Sequence, residues 1–330
     1  MKVAVFSTKS HDRQFLGQAN QKYQHQLTFL EPHLNEDTCK LGFGFPVVCP
    51  FANDILDRQV LSLLAKNGVS LIALRCAGFN NVDTVAAKEL GLTVVRVPAY
   101  SPHGVAEHAV ALILALNRKI YRAYNRVHDG NFSIEGLLGF EIHGKTVGIM
   151  GTGKIGLSLA HIMHGFGAKV LGYDTRINPE CEALGVRYVS KEELYNSCDI
   201  ISLHLPLMKE TYHIINKEAI DAMKQGVMII NTSRGGLINT TCLIDGLKSG
   251  KIGYVGLDVY EEEEGLFFED LSGQVIQDDT FARLIMFPNV LITSHQAFFT
   301  ETALENIAQT TLSNIADFEL GKMNPQNVVV

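Results

Sequence analysis

Six consecutive residues, Gly151-Thr152-Gly153-Lys154-Ile155-Gly156, fit the pattern G-x-G-x-x-G. Each fixed glycine meets a separate physical need. The one at 151 permits a tight turn, the one at 153 lets the backbone approach a pyrophosphate, and the one at 156 lets a helix pack closely on a strand. Free N–H groups at the start of the following helix then face phosphate oxygens. Asp174 stands 18 residues after Gly156, at the end of the next apolar run. A carboxylate there accepts hydrogen bonds from a ribose diol and repels a phosphate on the same sugar, which favours NAD over NADP. Arg176 nearby tempers that preference. Three further features carry polar chemistry: Arg234 in Asn231-Thr232-Ser233-Arg234-Gly235-Gly236, the run Glu261 to Glu264, and His295 after Val290-Leu291-Ile292-Thr293-Ser294.

The elements that must position these residues alternate strand and helix from end to end, which points to an α/β fold with parallel sheets. Strands are expected at 2–7, 47–49, 69–74 and 92–97, with a helix capped by Asp83 and stopped by Gly91. These first hundred residues hold no glycine-rich phosphate motif. Ser101 and Pro102 open a helix through Val105, Ala109, Val110, Ile113 and Leu116 that is apolar nearly all round and therefore buried. A second unit begins near Gly144, with strands at 145–150, 170–173, 200–205, 227–231, 254–257 and 290–293. The glycine motif lies between the first of these and a helix from Ile155 to Phe166, a context that makes it specific. A last helix runs from Thr302 to Leu320, with Thr302 and Glu305 at capping-box spacing. Arg234, the glutamates and His295 all follow predicted strands. In an open α/β sheet that edge is where ligands bind.

Composition excludes other classes. With 28 Lys+Arg against 35 Asp+Glu the formal net charge is −7, and no basic cluster offers itself to nucleic acid. No apolar run approaches the ~20 residues that a bilayer requires. The N-terminus enters a strand pattern at once, without the features of a signal peptide. The six cysteines show no C-x-x-C pair and read as reduced thiols of a cytoplasmic protein. His103 with His108, and His161 with His164, lack a third ligand, so no metal is expected. FAD enzymes carry such a glycine motif near the N-terminus, whereas this one lies mid-chain. The polar residues after the later strands weigh against a methyltransferase.

Several stretches together resemble the D-isomer-specific 2-hydroxyacid dehydrogenases, over essentially the whole chain, and within them the fermentative D-lactate dehydrogenase branch. They are Arg75-Cys76-Ala77-Gly78-Phe79-Asn80-Asn81-Val82-Asp83, Val97-Pro98-Ala99-Tyr100, Ala106-Glu107-His108-Ala109, the glycine motif, Asn231 to Gly235, Gly256 to Glu261, Gly265-Leu266-Phe267-Phe268-Glu269-Asp270 and His295-Gln296-Ala297-Phe298. The resemblance implies two Rossmann-like or flavodoxin-like domains with an interdomain cleft. Residues 1–100 and 298–330 would form a discontinuous substrate-binding domain, and 101–297 the NAD-binding domain. It implies reversible reduction of pyruvate to D-lactate with NADH. Arg234 would bind the carboxylate and polarise the ketone, and His295 would be the general acid and base. Glu263 would be the carboxylate that favours the imidazolium and raises its pKa; the residues alone leave the choice within 261–264 open.

The same resemblance implies cofactor contacts at Gly151, Gly153, Lys154, Ile155, Gly156, Asp174, Leu205, Pro206 and Thr232, and at Asp258 facing the nicotinamide amide. It implies substrate contacts at Ala77, Gly78, Tyr100 and Phe298, besides Arg234 and His295. The stretch 121–143, which shows no clear periodicity, would be a long loop in a dimer arm of a homo-oligomer, dimer or tetramer. Two other readings stand beside this one: a dehydrogenase for bulkier 2-oxo acids, and an NAD-sensing binding protein like the family's corepressors.

Overall fold

The computed structural model describes residues 1–263 and 265–330; Glu264, one of the four candidate glutamates, lies outside the described residues. The chain divides into two units, Met1–Ser101 with Phe298–Val330, and Pro102–Ala297. Each is built on its own sheet, and every strand pair within the two sheets is parallel.

In the first unit the order along the chain is β1 (Lys2–Val5), α1 (Ser10–Tyr23), β2 (Gln26–Phe29), β3 (Val47–Cys49), α2 (Arg58–Lys66), β4 (Leu71–Ala73), α3 (Thr84–Glu89) and β5 (Thr93–Val95). The sheet order is β2-β1-β3-β4-β5, the flavodoxin-like doubly wound arrangement. Strands β3 and β4 are buried throughout and read as unbroken apolar runs, as a sheet covered on both faces requires. Asp83 caps α3 by accepting from Ala86 N at 2.8 Å. Just past β4, Arg75 is 2% exposed. Its guanidinium donates to Phe6 O (2.8 Å), Ser7 O (3.0 Å) and Cys49 O (3.2 Å) and pairs with Asp12 at 3.1 Å. One buried cation thus ties the carboxyl ends of β1 and β3 to the turn that enters Ala77 and Gly78. Such a charge is tolerated because every side of it meets an acceptor.

The second unit runs α4 (Pro102–Arg118), α5 (Ile120–His128), β6 (Thr146–Met150), α6 (Lys154–Gly165), β7 (Lys169–Tyr173), α7 (Pro179–Ala183), β8 (Arg187–Tyr188), α8 (Lys191–Ser197) and β9 (Ile200–Leu203). It continues through α9 (Lys217–Ala222), β10 (Val227–Asn231), α10 (Thr240–Lys248), β11 (Ile252–Leu257), α11 (Asp279–Ile285) and β12 (Val290–Ile292). Its sheet order, β12-β11-β10-β9-β6-β7-β8, is the Rossmann order with one strand added. The strand order reverses between β6 and β9, the place where such sheets bind ligands. Helix α4 buries Val105, Ala106, Ala109, Val110, Leu112, Ile113 and Leu116. It comes so close to β11 that a Cβ on Gly256 would lie 3.2 Å from Leu112 Cβ. Each aliphatic side chain buried there contributes about 1.5–3 kcal/mol.

The chain returns to the first unit with α12 (Glu301–Glu319), which buries Ala303, Leu304, Ile307, Ala308, Leu312 and Ile315. Its cap is not Thr302. Thr300 has extended backbone and its Oγ1 accepts from Ala303 N at 3.2 Å, so Thr302 already lies within the first turn. The expected loop from 121 also needs correction, because Ile120–His128 is α5. Ile120, Tyr124 and Val127 have helical spacing, but they are 56%, 64% and 55% exposed, so the stripe lacks the buried partner that marks a helix in sequence. Strand β8, two residues at the sheet edge, is too short to leave a pattern. All six cysteines are free, and burial pushes the Cys49 and Cys198 thiols up to about 12.

The capping geometry is open to a direct test. Thr300→Ala should cost about 1 kcal/mol in urea unfolding, while Thr302→Ala should change stability by no more than about 0.5 kcal/mol. The reverse order would return the cap to Thr302.

Candidate functional site

The glycine turn leaves β6 and enters α6, and each glycine answers to a measured constraint. Gly151 has φ +97°, and a Cβ there would lie 2.5 Å from His204 O at the end of β9. A Cβ on Gly156 would lie 2.0 Å from Gly151 O, so the first turn of α6 rests directly on the loop. At Gly153 a Cβ would meet nothing within 4 Å. That glycine is therefore dispensable for packing inside the protein and leaves space over the helix start. No side chain caps α6, so its first N–H groups suit an anion. Lys154 is exposed on that first turn and Ile155 half-buried.

Asp174, just past β7, holds the other side of the loop. Its Oδ2 accepts from Thr152 N at 2.7 Å and its Oδ1 from Arg176 N at 3.3 Å. Thr152 is held further by Tyr188 from β8, whose hydroxyl donates to Thr152 Oγ1 at 2.8 Å. Beyond β9, Leu205 is buried and Pro206 exposed. Leu205 O accepts from Ser233 Oγ at 2.6 Å, which draws that loop against Thr232. Thr232 Oγ1 is buried without a hydrogen-bond partner, a cost that a bound group with a polar atom would relieve. The open face over Gly153, the uncapped helix, Asp174 and this orphaned hydroxyl together fit a dinucleotide.

Strands β10, β11 and β12 end level with one another, because Asn231 is opposite Leu257 and Leu257 opposite Ile292. Three short connections from these ends carry Arg234, Glu263 and His295. Asn231 Nδ2 donates to Arg234 O at 2.8 Å and fixes the first turn. Gly235 follows because a Cβ there would lie 2.0 Å from Tyr260 O. Glu263 accepts from His295 Nδ1 through Oε1 at 2.9 Å and from Tyr260 N through Oε2 at 3.0 Å. Among the described residues of the glutamate run, Glu263 is the one that meets His295; Glu261 is engaged elsewhere. With the Nδ1 proton directed at Glu263, proton exchange falls to Nε2. His295 has φ +50°, a left-handed backbone conformation rare outside glycine and kept only where surroundings enforce it.

Asp258 does the enforcing. Its Oδ1 accepts from Thr293 Oγ1 (2.5 Å) and Gln296 N (2.8 Å), its Oδ2 from Ala297 N (2.8 Å), and its carbonyl from His295 N (2.7 Å). The His108 Nε2 on α4 lies 3.0 Å from Thr293 Oγ1 and 3.4 Å from Asp258 Oδ1. Burial alone would raise the Asp258 carboxyl, but these bonds outweigh it and hold it below the usual range. Expected to face the nicotinamide amide, Asp258 is 0% exposed and directs both oxygens into the loop that carries His295. Neither His108 nor the aromatic cover on His295 was legible as part of the site. The Phe268 ring, at φ +69°, packs 5.7 Å from the imidazole.

In the first unit, Arg96 Nη1 donates to Ala77 O at 2.9 Å and Cys76 Sγ lies 3.2 Å from Gly78 O, which shapes that turn. The Tyr100 and Phe298 rings meet edge to face at 6.4 Å, and Phe51 lies 6.2 Å from Phe298. Phe51 is a member of this ring cluster that the sequence did not single out. Among the described residues no group of side chains forms a metal site, and no helix is long and apolar enough to cross a membrane.

Residues 110–297 match the family model described as D-isomer specific 2-hydroxyacid dehydrogenase, NAD binding domain. A D-lactate dehydrogenase of Escherichia coli (strain K12) is 53% identical over 329 residues, covering 100% of each chain. The chain belongs to the D-isomer specific 2-hydroxyacid dehydrogenases. Among solved structures, the apo D-lactate dehydrogenase from Escherichia coli has TM-score 0.91 and 50% identity, with 100% of both chains covered. A D-lactate dehydrogenase from Aquifex aeolicus complexed with NAD and lactic acid has TM-score 0.88 and 34% identity, with 99% of both chains covered. This 2-hydroxyacid dehydrogenase is therefore an oxidoreductase, and NAD is its cofactor.

His204, beside the glycine turn of the dehydrogenase, carries a pH signature. Burial lowers its pKa from 6.5 to about 4, and its Nδ1 has no hydrogen-bond partner. Below 6.5 the unfolded chain binds a proton that the folded chain refuses until about 4, so stability is lost as pH falls through that window. The loss should reach about 3 kcal/mol at most. His11 and His25, also lowered by burial, act in the same sense. Urea unfolding of His204→Gln between pH 7 and pH 4.5 should therefore give a shallower decline than the parent chain; parallel curves would contradict the assignment.

Proposed function

We propose that the chain is an NAD-dependent D-lactate dehydrogenase that interconverts pyruvate and D-lactate. The observation that carries this reading is the Glu263–His295 pair at 2.9 Å, on strand ends level with the one that carries Arg234. Relatives named D-lactate dehydrogenase support it. A 2-oxo acid offers a carboxylate next to a ketone. The planar fork of Arg234 suits the carboxylate and can polarise the ketone oxygen. Gly151, Gly153, Gly156, Lys154, Ile155, Asp174, Leu205, Pro206 and Thr232 would hold NADH, which when bound would supply the hydride for C2. His295 Nε2 gives its proton to the ketone oxygen as negative charge develops there, and Glu263 stabilises the ring while it is protonated. In the oxidative direction the same nitrogen takes the hydroxyl proton.

For the first unit we propose that the backbone N–H groups of Ala77 and Gly78 bind the carboxylate. There Tyr100 and Phe298 restrict the space for the substrate's side chain. Asp258 acts by seating the loop of His295. The exposed stripe Ile120, Tyr124 and Val127 on α5 supports the expectation that a second copy of the chain covers it.

Purified protein should consume NADH with pyruvate and yield the D enantiomer on chiral chromatography, with phenylpyruvate the poorer substrate by kcat/KM. L-lactate, or a preference for phenylpyruvate, would defeat the reading. His295→Gln should lower kcat by roughly 10²–10⁴-fold while NADH binding, followed by fluorescence, persists. Arg234→Gln should raise the pyruvate KM and lower kcat. Loss of cofactor affinity in either variant would mark the residue as structural.

A further inference from the structure

Two residues before Glu263, a second glutamate meets a second histidine. Glu261 Oε1 contacts His213 Nε2, while its Oε2 accepts from Thr240 N at 3.1 Å and from Thr240 Oγ1 at 2.8 Å. The proton positions follow from the neighbours. Asn239 Oδ1 accepts from Cys242 N at 3.0 Å as the cap of α10, which turns its Nδ2 toward His213 Nδ1 at 3.2 Å. An amide N–H facing Nδ1 makes that nitrogen an acceptor, so the ring carries its proton on Nε2 and donates it to Glu261. The carboxylate receives three donors, and despite burial its pKa lies below the usual range because His213 and Thr240 hydrogen-bond the charged form.

The partners of Glu261 are the same segments that hold the turn of Arg234. His213 N donates to Gly236 O at 2.9 Å, Ile215 N to Leu237 O at 3.0 Å, and Asn239 N to Ile215 O at 3.0 Å. Gly235 lies directly under Tyr260 O. His213 has φ +50° and its ring stacks on Tyr212 at 3.8 Å, so its direction is imposed by its surroundings. Glu261 is thus the side chain through which the loop that carries Glu263 grips the turn that carries Arg234.

We infer that Glu261 and His213 are positioning residues: their pair fixes the spacing between the guanidinium of Arg234 and the Glu263–His295 pair, and so the alignment of substrate with proton donor. This rests on the roles proposed above for Arg234, Glu263 and His295. Neither Glu261 nor His213 touches the reacting atoms, so the effect falls on substrate handling and leaves the glycine turn untouched.

Glu261→Ala and His213→Phe should each lower kcat/KM for pyruvate by about 10–100-fold, through a raised KM and a lowered kcat together, as small misplacements of reacting groups do. The NADH dissociation constant should stay within about twofold, since the glycine turn and Asp174 share no partner with this pair. His213→Gln, whose amide can donate to Glu261, should restore most of the activity. The inference is overturned if Glu261→Ala keeps kcat/KM within about twofold, if NADH affinity falls in parallel with activity, or if His213→Gln is as impaired as His213→Phe. His295→Gln, run beside them, separates the two levels. If it stays active, the underlying reading fails and this one with it; if it is inactive while Glu261→Ala is normal, the positioning role alone fails.

Discussion

A fully buried carboxylate is costly unless donors surround it, and Asp258 turns that cost into geometry. Among the described residues, the donors that reach it include the Thr293 hydroxyl, the backbone of Gln296 and Ala297, and His108. To satisfy Asp258, the chain after β12 must curl back over the end of β11. That curl places His295 at φ +50° with its own N–H on Asp258 O. A backbone conformation that costs on the order of 1 kcal/mol or more is stable here because relaxing it would strand a charge. The backbone that carries the imidazole is therefore set by bonds that do not involve the ring, and Glu263 then orients the ring itself.

The same economy of means appears at the glycine turn. Parallel strands that end level bring several connections to one edge of a sheet, and residues without side chains let those connections touch. Gly151 lies against His204 O, Gly156 against Gly151 O, and Gly235 against Tyr260 O. In each case the added carbon would overlap backbone, which cannot swing aside as a side chain can. Gly153 differs, because among the described residues nothing lies within 4 Å of a Cβ placed there. The contrast separates glycines that close the protein upon itself from the one that leaves a surface for a ligand.

The nucleotide-binding elements were legible because their signals are local: a strand, a turn with fixed glycines and a helix follow one another within about twenty residues. The inner strands of both sheets were legible for a similar reason, since buried parallel strands read as apolar runs, whereas the half-exposed edge strands β2 and β8 went unread. Arg234 and His295 were visible as polar residues after strands, but joining them needed the whole-chain resemblance. The choice among four adjacent glutamates was not readable from the residues themselves; the resemblance alone pointed to Glu263. In a loop no periodicity ties position to direction, and Glu261 and Glu263 part company only because Thr240 and His213 lie on one side and His295 on the other. His108 and His213 were hidden by the same limit, as their partners are 150 and 48 residues away in sequence. Helix α5 went unread because its apolar stripe is exposed and none of its residues is buried.

An acidic loop beside a cationic turn poses an electrostatic hazard. Arg234 follows β10, the glutamates follow β11, and the two connections touch at Gly235 and Tyr260. A carboxylate free to swing could pair with the guanidinium and block the charge that, in the proposed reaction, a substrate carboxylate would meet. The structure commits two of these acids elsewhere. Glu261 is held by His213 and Thr240, and Glu263 by His295 and Tyr260 N. Among the described residues no carboxylate pairs with the Arg234 guanidinium, whose Nη1 donates to the neighbouring Ser233 carbonyl. Each histidine thus does two things at once: it takes a defined proton arrangement from its glutamate, and it keeps that glutamate away from the arginine. The loop can then place carboxylates beside the histidines without neutralising the cation, a balance that depends on bonded positions more than on the net charge of the site.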